Sequence, residues 1–132
     1  MGTKGKDIVK YDVDKLNELL NKALADEWLA YYQYWVGSKV AKGPMRGLVS
    51  AELMEHANEE LEHANMLTER ILTLGGTPLI EPKQWYKHTN CGYEVPDDPS
   101  VKTLLEQNVK GEQCAIEVYN ELARLTKDKD PI

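Results

Sequence analysis

Three segments of nearly equal length carry apolar residues at three- and four-residue steps, and no stretch alternates as a half-buried strand would. The first runs from about Val13 to Ala41. Leu16, Leu19, Leu20, Ala23, Leu24, Glu27, Ala30, Tyr31, Tyr34 and Trp35 share one stripe there, and Asp12 or Asp14 can cap its start. The second runs from about Pro44 to Leu74 and is closed by Gly75-Gly76 and then Pro78. The third opens at Asp98-Pro99, an acceptor side chain before a proline suited to a first turn, and continues to about Thr126. Helices of about 28–31 residues are roughly 40–45 Å long at 1.5 Å per residue, and rods so matched pack side by side as a bundle. The short Gly43-Pro44 link makes the first two antiparallel neighbours. The stretch from Gly75 to Asp98 is too long for a tight turn and can cross the bundle's length, which sets the third helix parallel to the second.

The predicted fold class is therefore all-α, an antiparallel helical bundle with a long crossover. At 132 residues the chain suits one domain. Residues 1–12 are expected to be a flexible tail and 13–132 the bundle. Asp130-Pro131 repeats the start signal of Asp98-Pro99 with only Ile132 after it, so a fourth helix is expected to be missing from this chain.

Composition narrows the class of partner. Asp and Glu number 22 against 16 Lys and Arg, for a net charge of −6, which disfavours a broad nucleic-acid face. Only the tail bearing Lys4, Lys6 and Lys10 offers DNA a basic segment, a weak signal because such tails are usually just solvated. No apolar run approaches the roughly 18 residues a membrane span requires, and the tail lacks a signal-peptide core. A cytoplasmic protein without a membrane partner is expected. Two cysteines in an acidic, signal-free chain argue against a secreted disulfide scaffold.

The chemistry concentrates where charge interrupts an apolar stripe. Glu27 falls between Leu24 and Tyr31, and Glu112 between Asn108 and Ile116 on a face with Leu105 and Tyr119. Desolvating a carboxylate costs several kcal/mol, so such residues are rarely left there unpaired. Glu60 and His63 project from one face of the second helix at i and i+3, with Leu67 one turn on. Two inward glutamates and a Glu-x-x-His make up most of the arrangement used by di-iron and di-manganese carboxylate bundles. A carboxylate between two cations offsets their repulsion, and oxygen ligands with one imidazole suit Fe(II) or Mn(II). On this reading Glu60 bridges, Glu27 and His63 hold one metal, and Glu112 holds the second.

Blander readings apply elsewhere. Glu52, Glu55, Glu59 and Glu62 read as a solvated acidic face, His56 as a core histidine or neighbour of a ligand, and His88 as a surface residue. Trp28, Tyr31, Tyr32 and Trp35 read as core or subunit contact, while Tyr34, on the face of Glu27, is a candidate redox-active neighbour. Cys91 and Cys114 are either two free small core residues or a functional pair. A zinc site from His88, Cys91 and Cys114 lacks a clear fourth ligand. Glu27, Ala30 and Tyr34 recur as Glu112, Ala115 and Tyr119 at identical offsets, which suggests two helical hairpins, the second of them incomplete.

The run Leu20-Asn21-Lys22-Ala23-Leu24 with Glu27, Ala30, Gln33 and Tyr34, the run Glu60-Leu61-Glu62-His63-Ala64, and Glu69-Arg70-Ile71-Leu72 together resemble bacterioferritin and its ferritin-like relatives. The resemblance covers most of residues 13–126 apart from the crossover. It implies a four-helix ferritin-like fold in which Glu27, Glu60, His63 and Glu112 match ferroxidase ligands. Bacterioferritins carry a haem-ligating methionine where this chain has Leu61, so haem is not expected. The cysteine pair resembles that of Dps-like thioferritins, dodecameric cages that oxidise iron with peroxide. That likeness implies Cys91 and Cys114 near the dimetal site as a dithiol or disulfide able to supply electrons. The family's fourth helix repeats Glu-x-x-His, and the internal repeat places it beyond Ile132. The second metal is then incompletely liganded by this chain, and another chain or a longer parent would complete the site.

The expected function is oxidation of Fe(II) by hydrogen peroxide or oxygen at a di-iron site. Storage of Fe(III) in a homo-oligomeric, dodecameric cage and protection against oxidative stress would follow. Manganese or zinc are the alternative metals. The alternative functions are a peroxidase or manganese-catalase-like enzyme without storage, and a helical interaction module whose glutamates pair with lysines.

Overall fold

The computed structural model describes residues 12–127, and the expectations for the basic tail and for Asp130-Pro131 lie outside them. Four helices form among the described residues: α1, Val13–Val40; α2, Arg46–Thr73; α3, Lys83–His88; and α4, Val101–Thr126. The all-α expectation holds, with two adjustments at the boundaries. The second helix begins at Arg46, not Pro44, because Met45 takes a left-handed φ of 64° that a helix cannot continue. The last begins at Val101 after an Ser100 cap, and Asp98 reinforces the turn by accepting from Ser100 N at 3.1 Å and Thr103 Oγ1 at 2.8 Å.

Asp12 caps α1, its carboxylate accepting from Asp14 N and Lys15 N. At the far end of the first hairpin, α2 closes on Gly75, whose φ of 78° needs a residue without a side chain. Gly76 N donates to Ile71 O, and a Cβ at Gly76 would fall 2.5 Å from Asn17 Nδ2, so the start of α1 and the end of α2 meet closely.

Helix directions follow from which residues meet. Asn17 faces Gly76, Glu27 faces His63, and Gly37 faces Leu53, so α1 and α2 are antiparallel. Lys42 and Ser100 form a bridge, Lys42 N donating to Pro99 O at 2.8 Å and Val101 N to Lys42 O at 3.2 Å, which starts α4 beside the end of α1. Tyr34 then reaches Glu112 and Tyr119 reaches Glu27, so α4 runs back along α1, parallel to α2. The crossover carries α3, which the sequence did not announce because none of its six residues is buried and it has no stripe to show.

The buried stripe of α2 is Val49, Leu53, Ala57, Glu60, Ala64, Leu67 and Ile71, at steps of three and four. Its central member is charged. The apolar core is split accordingly. One cluster holds Leu16, Leu20, Leu24, Leu67, Ile71 and Leu74; the other holds Tyr34, Val49, Leu53, Ala57 and Leu104. Between them lies a polar layer built on Glu27 and Glu60. Leu48, Met66, Val109 and Ile116 remain exposed, apolar side chains of the kind that contacts with another helix or subunit cover.

Candidate metal centre

Glu27 and Glu60 sit at mid-length of α1 and α2, on the faces that pack against each other, and are 2% and 7% exposed. Antiparallel packing brings them level, and the i, i+3 step of α2 adds His63. Nδ1 of His63 lies 3.5 Å from Glu27 Oε2 and 3.7 Å from Glu60 Oε2. One ligand atom from each of the three residues lies within 4.8 Å of the other two. Oε2 of Glu27 is buried and accepts no hydrogen bond. A buried carboxylate oxygen without a donor, next to a second carboxylate and an imidazole nitrogen, fits a hard divalent cation. The imidazole side chain is 42% exposed, so the group is open on that side.

Glu112 lies outside this group of three but lines the same cavity of about 430 Å³, together with Glu27, Glu60, Tyr34, Cys91 and Cys114. Its Oε1 accepts from Tyr34 OH at 2.9 Å, and Tyr119 OH donates to Glu27 Oε1. The internal repeat thereby becomes a reciprocal pairing: the tyrosine of each helix holds the glutamate of the other. Tyr119 belongs to the site for this reason. Its sequence signal was the repeat, which marked its equivalence to Tyr34 but not its contact with Glu27.

Burial governs the electrostatics. Glu60 is pushed up to about 10, chiefly by desolvation and then by the close Glu27 and the Glu112 carboxylates. The phenols of Tyr34 and Tyr119 are raised above the usual tyrosine range, again foremost by burial and then by Glu112 and Glu27 respectively. Both therefore stay neutral donors to their carboxylates. A divalent cation is the natural counter-charge for three acids gathered in this way.

Cys91 and Cys114 form a disulfide. This rules out two free core cysteines. It also overturns the zinc site from His88, Cys91 and Cys114, since disulfide sulfurs offer no thiolate, and His88 is the half-buried last residue of α3. The segment that carries Cys91 is held against α1 by Asp26, whose Oδ1 accepts from Thr89 Oγ1, Asn90 N and Cys91 N and whose Oδ2 accepts from Asn90 Nδ2. That anchor had no signal in the helical pattern. His56 stands outside the ligand group, with Nε2 3.3 Å from Glu52 Oε1, Nδ1 3.5 Å from Glu59 Oε2, and its ring 5.6 Å from that of Tyr34. Glu52, Glu55, Glu59 and Glu62 are exposed. No helix among the described residues is long and apolar enough to cross a membrane.

Comparison with known proteins agrees with this architecture. The bacterioferritin-related protein of Bacteroides fragilis, a dodecameric thioferritin, superposes with a TM-score of 0.95 at 45% identity, over 98% of this chain and 78% of that one. The Dps protein of Vibrio cholerae O1 superposes with a TM-score of 0.83 at 20% identity, covering 89% of this chain and 73% of that one, which speaks for the fold alone. Among curated sequences, a DNA protection during starvation protein of Pyrococcus furiosus is 34% identical over 122 residues, 91% of this chain. A bacterioferritin of Desulfovibrio desulfuricans is 28% identical over 118 residues, 89% of this chain. The chain spans 65% and 61% of the length of these two relatives. The sequence pattern of the ferritin-like domain matches residues 17–132, and with it the chain belongs to the ferritin-like family.

Proposed function

We propose that this chain takes up Fe(II) as substrate at the Glu27–Glu60–His63 group, oxidises it with hydrogen peroxide or dioxygen, and passes Fe(III) to storage inside a homo-oligomeric cage. The observation that carries the reading is the buried, donorless Glu27 Oε2, 3.5 Å from His63 Nδ1, in a group with Glu60 whose ligand atoms lie within 4.8 Å of one another. Iron bound there supplies the electrons that the oxidant takes. Glu27 and His63 hold the first ion, Glu112 reaches toward a second, and Glu60, whose ionisation is influenced by both glutamates, is the bridging group. Tyr119 and Tyr34 fix the outer carboxylates by hydrogen bonds, which limits the rearrangement needed when the charge on the iron changes. The Cys91–Cys114 disulfide lines the same cavity, and on this reading it serves as a two-electron redox pair for the site. Relatives named bacterioferritin and DNA protection during starvation protein support the activity, and the thioferritin of B. fragilis, a dodecamer, supports the cage.

The test is anaerobic loading with Fe(II) followed by stoichiometric peroxide or by air, with Fe(III) followed by its near-ultraviolet absorbance and retained iron measured per chain after gel filtration. Many irons retained per chain, with faster oxidation by one of the two oxidants, is the expected result. Peroxide consumed with no iron retained would assign a dimetal peroxidase instead. No iron-dependent absorbance and no bound metal would remove the reading.

A further inference from the structure

The crossover from residue 76 to 100 has no buried helical stripe to hold it, yet it carries Cys91 to within bonding distance of Cys114 on α4. Its anchors combine aromatic packing with a small set of polar contacts: Trp85 of α3 stacks on Trp28 of α1 with ring centroids 5.6 Å apart, and Tyr93 packs against Tyr32 at 6.4 Å. Near its start, Asn21 Nδ2 donates to Thr77 O and Leu79 N donates to Asn21 Oδ1, both at 3.0 Å. Near its end, the Lys42 bridge fixes Pro99 to Val101. In the middle, Glu94 N donates to Gln33 Oε1 at 3.1 Å, Gln107 Nε2 of α4 donates to Val95 O at 3.3 Å and Lys110 pairs with Glu94 at 3.6 Å, while the three residues that end in Cys91 are held by one carboxylate. Asp26 takes four hydrogen bonds from three consecutive residues, the last of them Cys91 itself, whose N–H lies 2.9 Å from Oδ1. Adjacent positions on a helix point about 100° apart, so α1 can turn Glu27 into the bundle while Asp26 faces the crossover.

We propose that Asp26 is a positioning residue for the Cys91–Cys114 pair: its carboxylate pins residues 89–91 so that the Cys91 sulfur is held at Cys114, and it thereby favours the disulfide over the dithiol. In the reduced form the covalent link between crossover and α4 is lost; Gln107 and Lys110 still hold residues 94–95 to α4, and the Asp26 hydrogen bonds are what fix residues 89–91 and so set how often the two sulfurs meet. Hydrogen bonds to an ionised acceptor are the stronger kind, and holding two groups together raises their effective concentration. Without the carboxylate, closing the disulfide must also order residues 89–91. The inference deepens the proposed function by naming what holds the redox pair at the site, but it stands on the chain's own hydrogen bonds and is tested without metal.

The experiment equilibrates metal-free protein in mixtures of reduced and oxidised dithiothreitol, then traps free thiols with a maleimide and counts them by mass spectrometry. In the reaction followed, the protein S–S bond breaks, each sulfur gains one electron and one proton, and the dithiol reagent becomes its cyclic disulfide. Asp26→Ala is expected to move the equilibrium at least tenfold toward the dithiol, about 30 mV for a two-electron couple. Asp26→Asn should shift it less, since an amide oxygen can still accept from the backbone while its NH2 opposes Asn90 Nδ2. Adding Asn90→Asp to Asp26→Asn should recover part of the loss, because the exchanged carboxylate and amide can pair again. Should Asp26→Ala fail to fold, Thr89→Ala/Asn90→Ala removes donors from the crossover side and is expected to shift the equilibrium in the same direction. Wild-type equilibria in Asp26→Ala and in the Thr89/Asn90 variant would overturn the proposal. So would an Asn90→Asp exchange that recovers nothing. Loss of iron binding with an unchanged Asp26 effect would count against the proposed function only.

Discussion

Glu60→Gln will raise the stability of the metal-free protein and at the same time remove its capacity to bind metal. Glu60 is the one charged residue on the buried stripe of α2, between Ala57 and Ala64. Burial and the neighbouring carboxylates lift it from 4.5 to about 10, so near neutrality the folded chain holds a proton that the unfolded chain has released. The stability contributed by that proton is full below about pH 4.5 and is lost as the pH rises toward 10. At 1.36 kcal/mol per unit, the roughly 2.5 units crossed between 4.5 and pH 7 correspond to about 3 kcal/mol. An amide needs no proton to be neutral. The difference in melting temperature between Glu60→Gln and wild type is therefore expected to widen from pH 5 to pH 8 when metal is absent, and to reverse in sign with saturating Mn(II) or anaerobic Fe(II). Binding measured calorimetrically should weaken by more than the roughly 10–100-fold that loss of an outer hydrogen-bond partner costs a metal site. A stability difference independent of pH would show that Glu60 is not held as described.

Leu24→Ala will do the opposite: destabilise strongly and leave the metal group intact. Leu24 is 1% exposed and packs with Leu20, Ala64, Leu67 and Ile71 in the apolar layer next to the site. Truncating a leucine in such a layer removes transfer free energy and leaves a cavity, together about 3 kcal/mol and on the order of 10 °C in melting temperature. Glu27, Glu60 and His63 keep their elements and their partners, so metal still raises the melting temperature of the variant. Chemical denaturation with and without Mn(II) checks both halves of the statement. Together the two substitutions separate the apolar layers, where the fold's stability resides, from the polar layer between them, which lowers stability and gathers the residues of the proposed metal site.

Much of this organisation is legible in the residues because a long helix writes its buried face at a fixed period. The three long helices and the isolation of Glu27 in an apolar stripe follow from that period, and the helix directions from the lengths of the two links. What is not periodic does not show. The left-handed Met45 shifts the start of α2 because its conformation is set by the turn, not by a side-chain preference. The six-residue α3 has no fully buried residue, only a half-buried Trp85 stacked on Trp28, and leaves no stripe. Tyr119 could be seen as the equivalent of Tyr34, but its hydrogen bond to Glu27 depends on how α4 is registered against α1. Cys91 and Cys114 left two readings open, since their spacing does not say that the crossover folds back onto α4. Asp26 is the extreme case: a polar side chain off the buried stripe, whose partners lie more than sixty positions along the chain.

The measurement closest to the central claim is an anomalous difference map from crystals grown anaerobically with Fe(II) and recorded on either side of the iron absorption edge. The account predicts a peak within coordination distance of Glu27, Glu60 and His63, with a second toward Glu112. No peak in this layer, with those carboxylates turned to lysines or to solvent, would contradict it.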